Sequence, residues 1–211
     1  MLLALAVPGA LLAGKSDPGA ALVSADEAYS KDSQRAGNWT AARRMALPES
    51  ETFAPGRVKV LEFGKNMPDP PFTQSWKPAH VWISCDGTAG ITFGTWSIVG
   101  SNLKGSYESV WAQMADGGYR VLLRRGGTEP RKLHSRPGRK GLRAACTGKP
   151  FIAIRAPAEG DDFKFGASND GSLNWTSVVT KQGEVQIVVR IWDGKDFAPV
   201  LEDVAPARIA R

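Results

Sequence analysis

The chain has 211 residues, of which 42% are hydrophobic and 23% are charged, a composition typical of a soluble globular protein with one substantial core. No apolar run approaches the roughly 20 residues that a membrane-spanning helix needs, which excludes a membrane span. The formal net charge of +6 is concentrated in residues 120–143, where many Arg and Lys side chains accompany a single acidic residue, Glu129.

The first residues, "MLLALAVPGALLAG", form an apolar run of the length found in signal peptides, followed by a polar, small-residue stretch. No Lys or Arg precedes this run, so a plain apolar N-terminal segment is the alternative. We interpret residues 1–17 as an export segment, which predicts a periplasmic or secreted protein.

Two helices are predicted next. From Pro18 to Gly37 the apolar residues recur near helical spacing, and Gly37 stands where a C-cap glycine is expected. Asn38 is a suitable N-cap for a second helix, which Pro48 should end. Residues 51–76 are rich in Pro and Gly, and we expect them to be mostly irregular, with at most a short strand around Phe53 and a short helix around Val60 to Phe63.

After Trp76 the hydrophobic period changes from helical to two, which indicates β-strands. Short turns that contain Asp-Gly or Gly-Gly separate the candidate strands, so the pattern predicts an antiparallel meander. The four candidate strands are residues 78–85, 89–97, 106–114 and 119–125.

A basic stretch and a second set of strands complete the chain. Residues 128–145 contain several Pro and Gly residues and no periodicity, which favours a solvated linker. Strand-like runs separated by Asp-Gly and Gln-Gly turns predict a small meander from about Phe163 to Val204. We therefore predict a domain at residues 18–127, a linker at 128–145 and a C-terminal β meander within 146–211.

The element order resembles the nuclear transport factor two-like superfamily, which includes ketosteroid isomerase and SnoaL-type polyketide cyclases. The phrases that carry the resemblance are "RAGNWTAARRMA", "TFAP", "WKPAHVWISCDGTAGITFGTW" and "YESVWAQMADGGYRVLLRRGG". The similarity is closest to uncharacterised exported bacterial members. It implies an α+β fold in which a cone-shaped, curved antiparallel sheet packs on N-terminal helices, here followed by the C-terminal β meander. Because this fold hosts enzymes, binding modules and scaffolds, the resemblance implies no particular activity.

Catalysis in that superfamily usually depends on a carboxylate or a His-Asp pair that projects into the cone. We can assign no such pair here. Related sequences tend to carry an Asp-His phrase where this chain has Arg124 and Arg125, and Arg cannot act as a base at neutral pH. Tyr29 lies roughly where an isomerase of this superfamily carries its oxyanion-binding tyrosine. We nevertheless favour the interpretation that Tyr29 only fills the core.

The strand register decides which side chains could line a pocket. We assume a three-residue hairpin loop at residues 86–88, which places an apolar set on one face: Val81, Ile83, Cys85, Ala89, Ile91 and Phe93. The mixed face then carries His80, Trp82, Ser84, Thr92 and Trp96. We predict a pocket for an apolar small molecule, lined by Tyr29, His80, Trp82, Thr92 and Trp96. Tryptophans that only fill the core or a dimer interface are the alternative.

The chain has two cysteines, Cys85 and Cys146. A nucleophilic Cys85 would need a base, but His80 should project from the opposite face and His134 lies in the basic stretch. Two cysteines and two histidines at these spacings form no recognisable metal site, and we predict no metal and no cofactor. In an exported protein two free thiols or one bridge remain, and we favour a disulfide between Cys85 and Cys146.

These observations together predict an exported, non-catalytic protein that binds a small ligand or a partner and forms a homodimer through its sheet. The alternative is an isomerase- or cyclase-like enzyme that acts on a hydrophobic small molecule with Tyr29, His80 and an unidentified carboxylate. Specific nucleic-acid binding is not predicted, because the basic stretch lacks aromatic residues for base stacking and an exported protein rarely meets nucleic acid.

Overall fold

The computed structural model describes residues 17–134, 141–148, 150–154 and 157–207. The predicted export segment therefore lies outside the described residues, apart from Asp17. Asp17 caps the first helix, α1 (Pro18–Ala36), because its carboxylate accepts a hydrogen bond from the backbone N–H of Gly19 at 3.0 Å. Gly37 ends α1 with a φ of 101°, a conformation that favours glycine.

The second helix, α2 (Asn38–Met45), is capped by a residue that is distant in the sequence. Asn38 was predicted to be the N-cap, but it is the first helical residue. The carboxylate of Asp69 accepts hydrogen bonds from the backbone N–H groups of Trp39 and Thr40, at 2.6 and 3.0 Å. The cap thus comes from a loop that follows the short third helix, α3 (Val60–Phe63).

The strands of the described residues form two sheets, as predicted, and the α+β class is confirmed. The first sheet has the order β2-β1-β6-β5-β4-β3-β8 and the second has the order β7-β12-β11-β10-β9. In chain order the strands are β1 (Ala46–Phe53), β2 (Arg57–Lys59), β3 (Gln74–Ile83), β4 (Ala89–Ile98), β5 (Lys104–Gln113), β6 (Tyr119–Gly127), β7 (Arg131–Leu133), β8 (Gly141–Arg143), β9 (Asp162–Ala167), β10 (Leu173–Val179), β11 (Val185–Trp192) and β12 (Phe197–Ala205).

Strands β3 to β6 form the predicted antiparallel meander, but the whole first sheet is mixed. β1 pairs in parallel with β6, and β8 pairs in parallel with β3. Pro48 was predicted to end α2, but that helix ends at Met45 and Pro48 lies inside β1. Pro48 is tolerated because the β1–β6 register is irregular between Ala46 and Glu51, so no regular ladder requires its missing N–H. The hydroxyl of Ser50 connects β1 to β6 at this irregularity by donating a hydrogen bond to the backbone carbonyl of Val121 at 2.5 Å.

The basic segment that was predicted to be a linker contributes a strand to each sheet. β7 pairs with β12 in the second sheet, and β8 pairs with β3 in the first. The expectation of an irregular segment is therefore wrong for these six residues, while residues 135–140 lie outside the described part. Strands β9 to β12 form the second predicted meander.

The first sheet lies between two layers. Its one face packs on α1 and α2 around Leu22, Trp76 and Trp111. Its other face packs on the second sheet, where Trp82 and Ile91 join one core with Ile187, Val189 and Leu201. A homodimer was expected to form through this sheet, but both of its faces pack against other elements of the same chain. No helix in the described residues is both long and apolar enough to cross a membrane.

Candidate functional site

A cavity of about 470 Å³ lies between the helices and the first sheet. This volume is within the usual range of small-molecule sites. Its walls come from α1, α2, β1, α3, the loop before β3, and strands β3 to β6. Most of the lining side chains are apolar or aromatic, and they include Tyr29, Trp39, Val60, Phe72, Trp96, Ile98, Leu103, Tyr107 and Val121.

Arg124 of β6 is the one charged side chain among the described residues that line this cavity. Its guanidinium carbon lies 4.2 Å from the ring centroid of Trp76 and 4.3 Å from that of Tyr107. Its Nη1 donates a hydrogen bond to the hydroxyl of Ser109 at 2.6 Å. Cation–π contacts of this kind hold a guanidinium in a largely apolar environment.

Asp26 of α1 lies behind this cation and is completely buried. Its carboxylate accepts hydrogen bonds from Nε1 of Trp76 at 2.9 Å and from the hydroxyl of Tyr107 at 2.6 Å. One carboxylate oxygen lies 3.8 Å from Nη1 of Arg124. Asp26 therefore orients the aromatic side chains around Arg124 but does not itself line the cavity.

The two tyrosines of the cavity remain protonated at neutral pH. Burial raises the pKa of the Tyr107 hydroxyl well above its ordinary value, and the negative charge of Asp26 raises it further. Burial also raises the pKa of Tyr29, although Arg124 opposes the shift. Both phenols are thus hydrogen-bond donors, and that of Tyr107 is directed at Asp26.

The structure brings two of the five predicted pocket residues to the cavity, Tyr29 and Trp96. Thr92 is on the same face of the sheet, but it is fully buried and its hydroxyl accepts a hydrogen bond from Nε1 of Trp111 at 2.9 Å. His80 stacks on Trp82 with ring centroids 5.7 Å apart, on the face that packs against the second sheet.

The predicted grouping of faces is wrong because the first hairpin loop has four residues, Cys85–Thr88. The backbone N–H of Ser84 donates to the carbonyl of Ala89 at 2.9 Å, so Ser84 pairs with Ala89 and Trp82 pairs with Ile91. A shift of one residue moves each side chain to the opposite face. Trp82 and Ile91 accordingly share the second-sheet face, whereas Val81 and Thr92 share the helix face.

Three features of the cavity region were not predicted from the sequence: the buried Asp26, the position of Arg124 in the cavity wall, and the contribution of the loop before β3. A signal for Asp26 exists: Leu22, Asp26, Tyr29 and Ser33 follow helical spacing, which places an acidic residue on the buried stripe of α1. An acidic side chain on such a stripe needs buried partners. The sequence carries no comparable signal for the loop, because its contribution depends on tertiary packing.

The predicted disulfide between Cys85 and Cys146 is present, with the two Cα atoms 5.1 Å apart. It lies beside two hairpin turns of similar sequence, residues 84–88 and 168–172, which we call the turn pair. In the turn pair the backbone N–H of Asp86 donates to the carboxylate of Asp170, and that of Asp170 donates to Asp86, both at 3.0 Å. The turn pair joins the β3–β4 hairpin of the first sheet to the β9–β10 hairpin of the second, and the disulfide ties the segment after β8 to the same place.

A second charged group, the inter-sheet cluster, lies between the two sheets and consists of Arg125, Arg131, Glu108, Asp203 and Glu129. Arg131 contacts Glu108 and Asp203 at 3.2 Å, and Arg125 donates to Asp203 through a short hydrogen bond. Burial raises the pKa of Glu108 well above its ordinary value, and the charge of Asp203 adds to the shift. Arg131, predicted to be a solvated linker residue, has a side chain that is only 1% exposed.

The described residues contain no group of three or more His, Cys, Asp or Glu side chains placed to hold a metal ion. No protein-family model and no curated protein matches the chain. Several solved structures do match it.

The chain is similar in structure to NTF2-like proteins. One is an NTF-2 like protein of unknown function from Shewanella oneidensis MR-1, with 12% identity and a TM-score of 0.43 over 52% of this chain and 98% of that chain. Another is an NTF2-like superfamily protein from Salmonella enterica serovar Typhimurium, with 14% identity and a TM-score of 0.40 over 54% of this chain and 92% of that chain.

A third is a protein from Catenulispora acidiphila in complex with S-DNPA, with 14% identity and a TM-score of 0.34 over 51% of this chain and 94% of that chain. The first two structures carry the name of the superfamily that the sequence resembles. At these identities and TM-scores the matches establish no activity. About half of this chain lies outside each of them.

Proposed function

We propose that the protein binds an apolar small molecule in the cavity between its helices and its first sheet, and that it does so without catalysis. The observation that carries this proposal is the cavity itself, about 470 Å³ in volume with mostly apolar and aromatic walls. Ligand sites of this size typically combine apolar walls with a few polar groups that fix orientation. Arg124, Tyr29 and Gln74 are polar groups of that kind here.

The arrangement of titratable side chains supports a binding role over the isomerase- or cyclase-like alternative. General acid–base catalysis needs a group within hydrogen-bond reach of the substrate. The described residues that line the cavity include no Asp, Glu or His. The nearby carboxylate, Asp26, is sealed from the cavity and occupied by two donors, and His80 lies on the other face of the sheet from Tyr29.

Export to the periplasm or the medium is part of this proposal, and the disulfide is compatible with an oxidising compartment. A homodimer stays a prediction, but it would need a surface other than the covered face of the first sheet. Nucleic acid is not proposed as a partner. Arg124, Arg125 and Arg131 lie inside the protein, which leaves fewer cations for phosphate contacts.

The proposal is tested by fluorescence titration with phenyl naphthylamine, an uncharged apolar probe. We expect saturable binding to the wild-type protein. The variant Ala42→Phe places a bulky ring into the cavity from α2 and should weaken binding about tenfold or more, while the matched variant Ala42→Ser should bind as wild type. Absence of saturable binding, or equal binding by Ala42→Phe, would overturn the proposal.

A further inference from the structure

We infer that the ligand of this cavity is an apolar molecule with one anionic group, which the guanidinium of Arg124 binds. This inference rests on the proposed function and adds the chemical class of the ligand. Arg124 is the sole charged side chain among the described lining residues, and 17% of its side chain is exposed. A ligand anion in the cavity therefore meets a cation and no lining carboxylate.

The hydrogen-bonding capacity of Arg124 is only partly used within the protein. A guanidinium has five N–H donors in a planar fork that matches a carboxylate or a similar anion. Among the described residues the structure assigns one side-chain acceptor to it, the hydroxyl of Ser109 at 2.6 Å. The remaining donors are available to a ligand that carries oxygen acceptors.

Asp26 pairs in charge with Arg124 but accepts no hydrogen bond from it. Its nearest oxygen lies 3.8 Å from Nη1 of Arg124, which is beyond hydrogen-bond distance. Both carboxylate oxygens instead accept from neutral donors, Trp76 and Tyr107. Asp26 thus fixes the aromatic rings that hold the guanidinium in place, and it acts as a positioning residue for the anion site.

The rest of the cavity suits the apolar part of such a molecule. From Arg124 the walls continue through Trp96 and Val121 to Phe72 and Leu103. Phe72 and Leu103 are 48% and 53% exposed, which places them at the rim. An elongated or planar apolar acid would bury its hydrocarbon against these side chains while its anionic group contacts Arg124.

The experiment compares two fluorescent probes that differ in a single group. Anilinonaphthalene sulfonate carries a sulfonate, and phenyl naphthylamine has the same kind of aromatic body without it. We expect wild-type protein to bind the sulfonate about tenfold more tightly, the gain expected of charge-assisted hydrogen bonds in a partly buried site. In Arg124→Gln this preference should disappear while phenyl naphthylamine still binds.

Arg120→Gln is the matched control. It removes one positive charge from the same strand, but Arg120 does not line the cavity and its side chain contacts the carbonyl of Tyr119. The preference for the sulfonate should survive in this variant. If Arg120→Gln lost the preference as fully as Arg124→Gln, the effect would come from overall charge and the inference would be wrong.

A second measurement needs no variant and applies even if Arg124→Gln does not fold. Phenyl naphthylamine bound to wild-type protein is displaced by decanoate, decanol or decyltrimethylammonium, which share one hydrocarbon chain. We expect decanoate to compete at about a tenfold lower concentration than decanol, and the cation to compete least. Equal or better competition by decanol would overturn the anion site alone, whereas failure of phenyl naphthylamine to bind would overturn the proposed function itself.

Discussion

Asp26 illustrates how one buried carboxylate organises several neighbours. It accepts from Trp76 and Tyr107, whose rings then contact the guanidinium of Arg124. Charged groups are rarely buried without such partners, because the loss of hydration costs several kcal/mol. The carboxylate that a catalytic interpretation required is thus present near the cavity, but its position serves to hold a cation and aromatic rings.

Glu108 is the residue whose protonation should affect stability. The inter-sheet cluster combines two arginines with three carboxylates, and its charges balance if Glu108 holds a proton. Burial and the charge of Asp203 raise the pKa of Glu108 in the folded protein above its ordinary value of 4.5. Protonated Glu108 can donate to Asp203, a hydrogen bond that an ionised Glu108 cannot make.

We therefore predict that Glu108→Gln removes a pH-dependent contribution to stability. Because the folded-state pKa is raised, the contribution is fully present below 4.5 and is lost as pH rises through the folded pKa. Between pH 4.5 and the folded pKa, the free energy of unfolding of Glu108→Gln should therefore rise relative to that of wild type by about 1.4 kcal/mol per pH unit. Urea denaturation at a series of pH values measures it.

The control for this experiment is Glu202→Gln. Glu202 precedes Asp203 in β12, but its side chain is 32% exposed and contacts two other surface side chains, Lys132 and His134. Loss of such surface pairs should change the free energy of unfolding by less than about 1 kcal/mol. Parallel pH curves for wild type and Glu108→Gln would contradict the assigned role of Glu108.

At the scale of elements, local signals and long-range pairing differ in what a sequence reveals. Helix α1 and the meander strands could be predicted, because periodicity and Asp-Gly turns are local properties. β8 and most of β1 could not, because each strand is stabilised by parallel pairing with a strand that is distant in sequence. Their residues carry no alternation of their own that would indicate strands.

The candidate site was predicted only in part for a related reason. The face on which a strand residue lies depends on the hairpin loop, and Cys85–Thr88 is one residue longer than assumed. Tyr29 and Trp96 both line the cavity. Tyr29 lies on α1, and Trp96 shares a face of β4 with Thr92 whichever register the hairpin adopts. A bulge between Pro78 and His80 separates the two halves of β3, which the sequence pattern did not indicate.

The disulfide is the element-scale feature with the clearest effect on stability. It joins residues that are 61 positions apart, and in the chain-entropy model such a crosslink stabilises a protein by about 4 kcal/mol. We predict that a reductant lowers the free energy of unfolding of wild-type protein by about this amount. Guanidinium denaturation with and without reductant provides the measurement.

The double variant Cys85→Ser with Cys146→Ser is the matched control. It should match reduced wild type in stability and should not respond to reductant. Alkylation of unfolded, oxidised wild-type protein should leave its intact mass unchanged. Attachment of two alkyl groups, or a wild-type denaturation midpoint that ignores reductant, would contradict this assignment.

For the whole molecule, the second sheet is as important as the helices, because each covers one apolar face of the first sheet. It covers Trp82, Ile91, Val110 and Leu123, each no more than 3% exposed, on the face of the first sheet that is opposite the cavity. Apolar side chains in such numbers are normally covered in a monomeric protein. The domain boundary proposed at Gly127 would separate this face from its cover.

We therefore predict that a fragment of residues 18–127 does not behave as a folded monomer. It lacks both the second sheet and β8, so it should self-associate and bind apolar dyes more strongly than the longer protein of residues 18–211. Light scattering and dye fluorescence on the two proteins make the comparison. A monodisperse fragment with native circular dichroism would show that residues 18–127 are an independent domain.

The dipeptide Arg124-Arg125 occupies both interiors of the protein at once, because successive strand residues point to opposite faces. One arginine contacts the aromatic rings of the cavity, and the next holds Asp203 between the sheets. If Arg124 binds the anionic group of a ligand, as we propose, ligand preference and the packing of the two sheets depend on neighbouring residues that point to opposite faces of β6. On that proposal, we expect substitutions at position 124 to change which ligand binds, whereas substitutions at position 125 would remove the cation that holds Asp203 between the sheets.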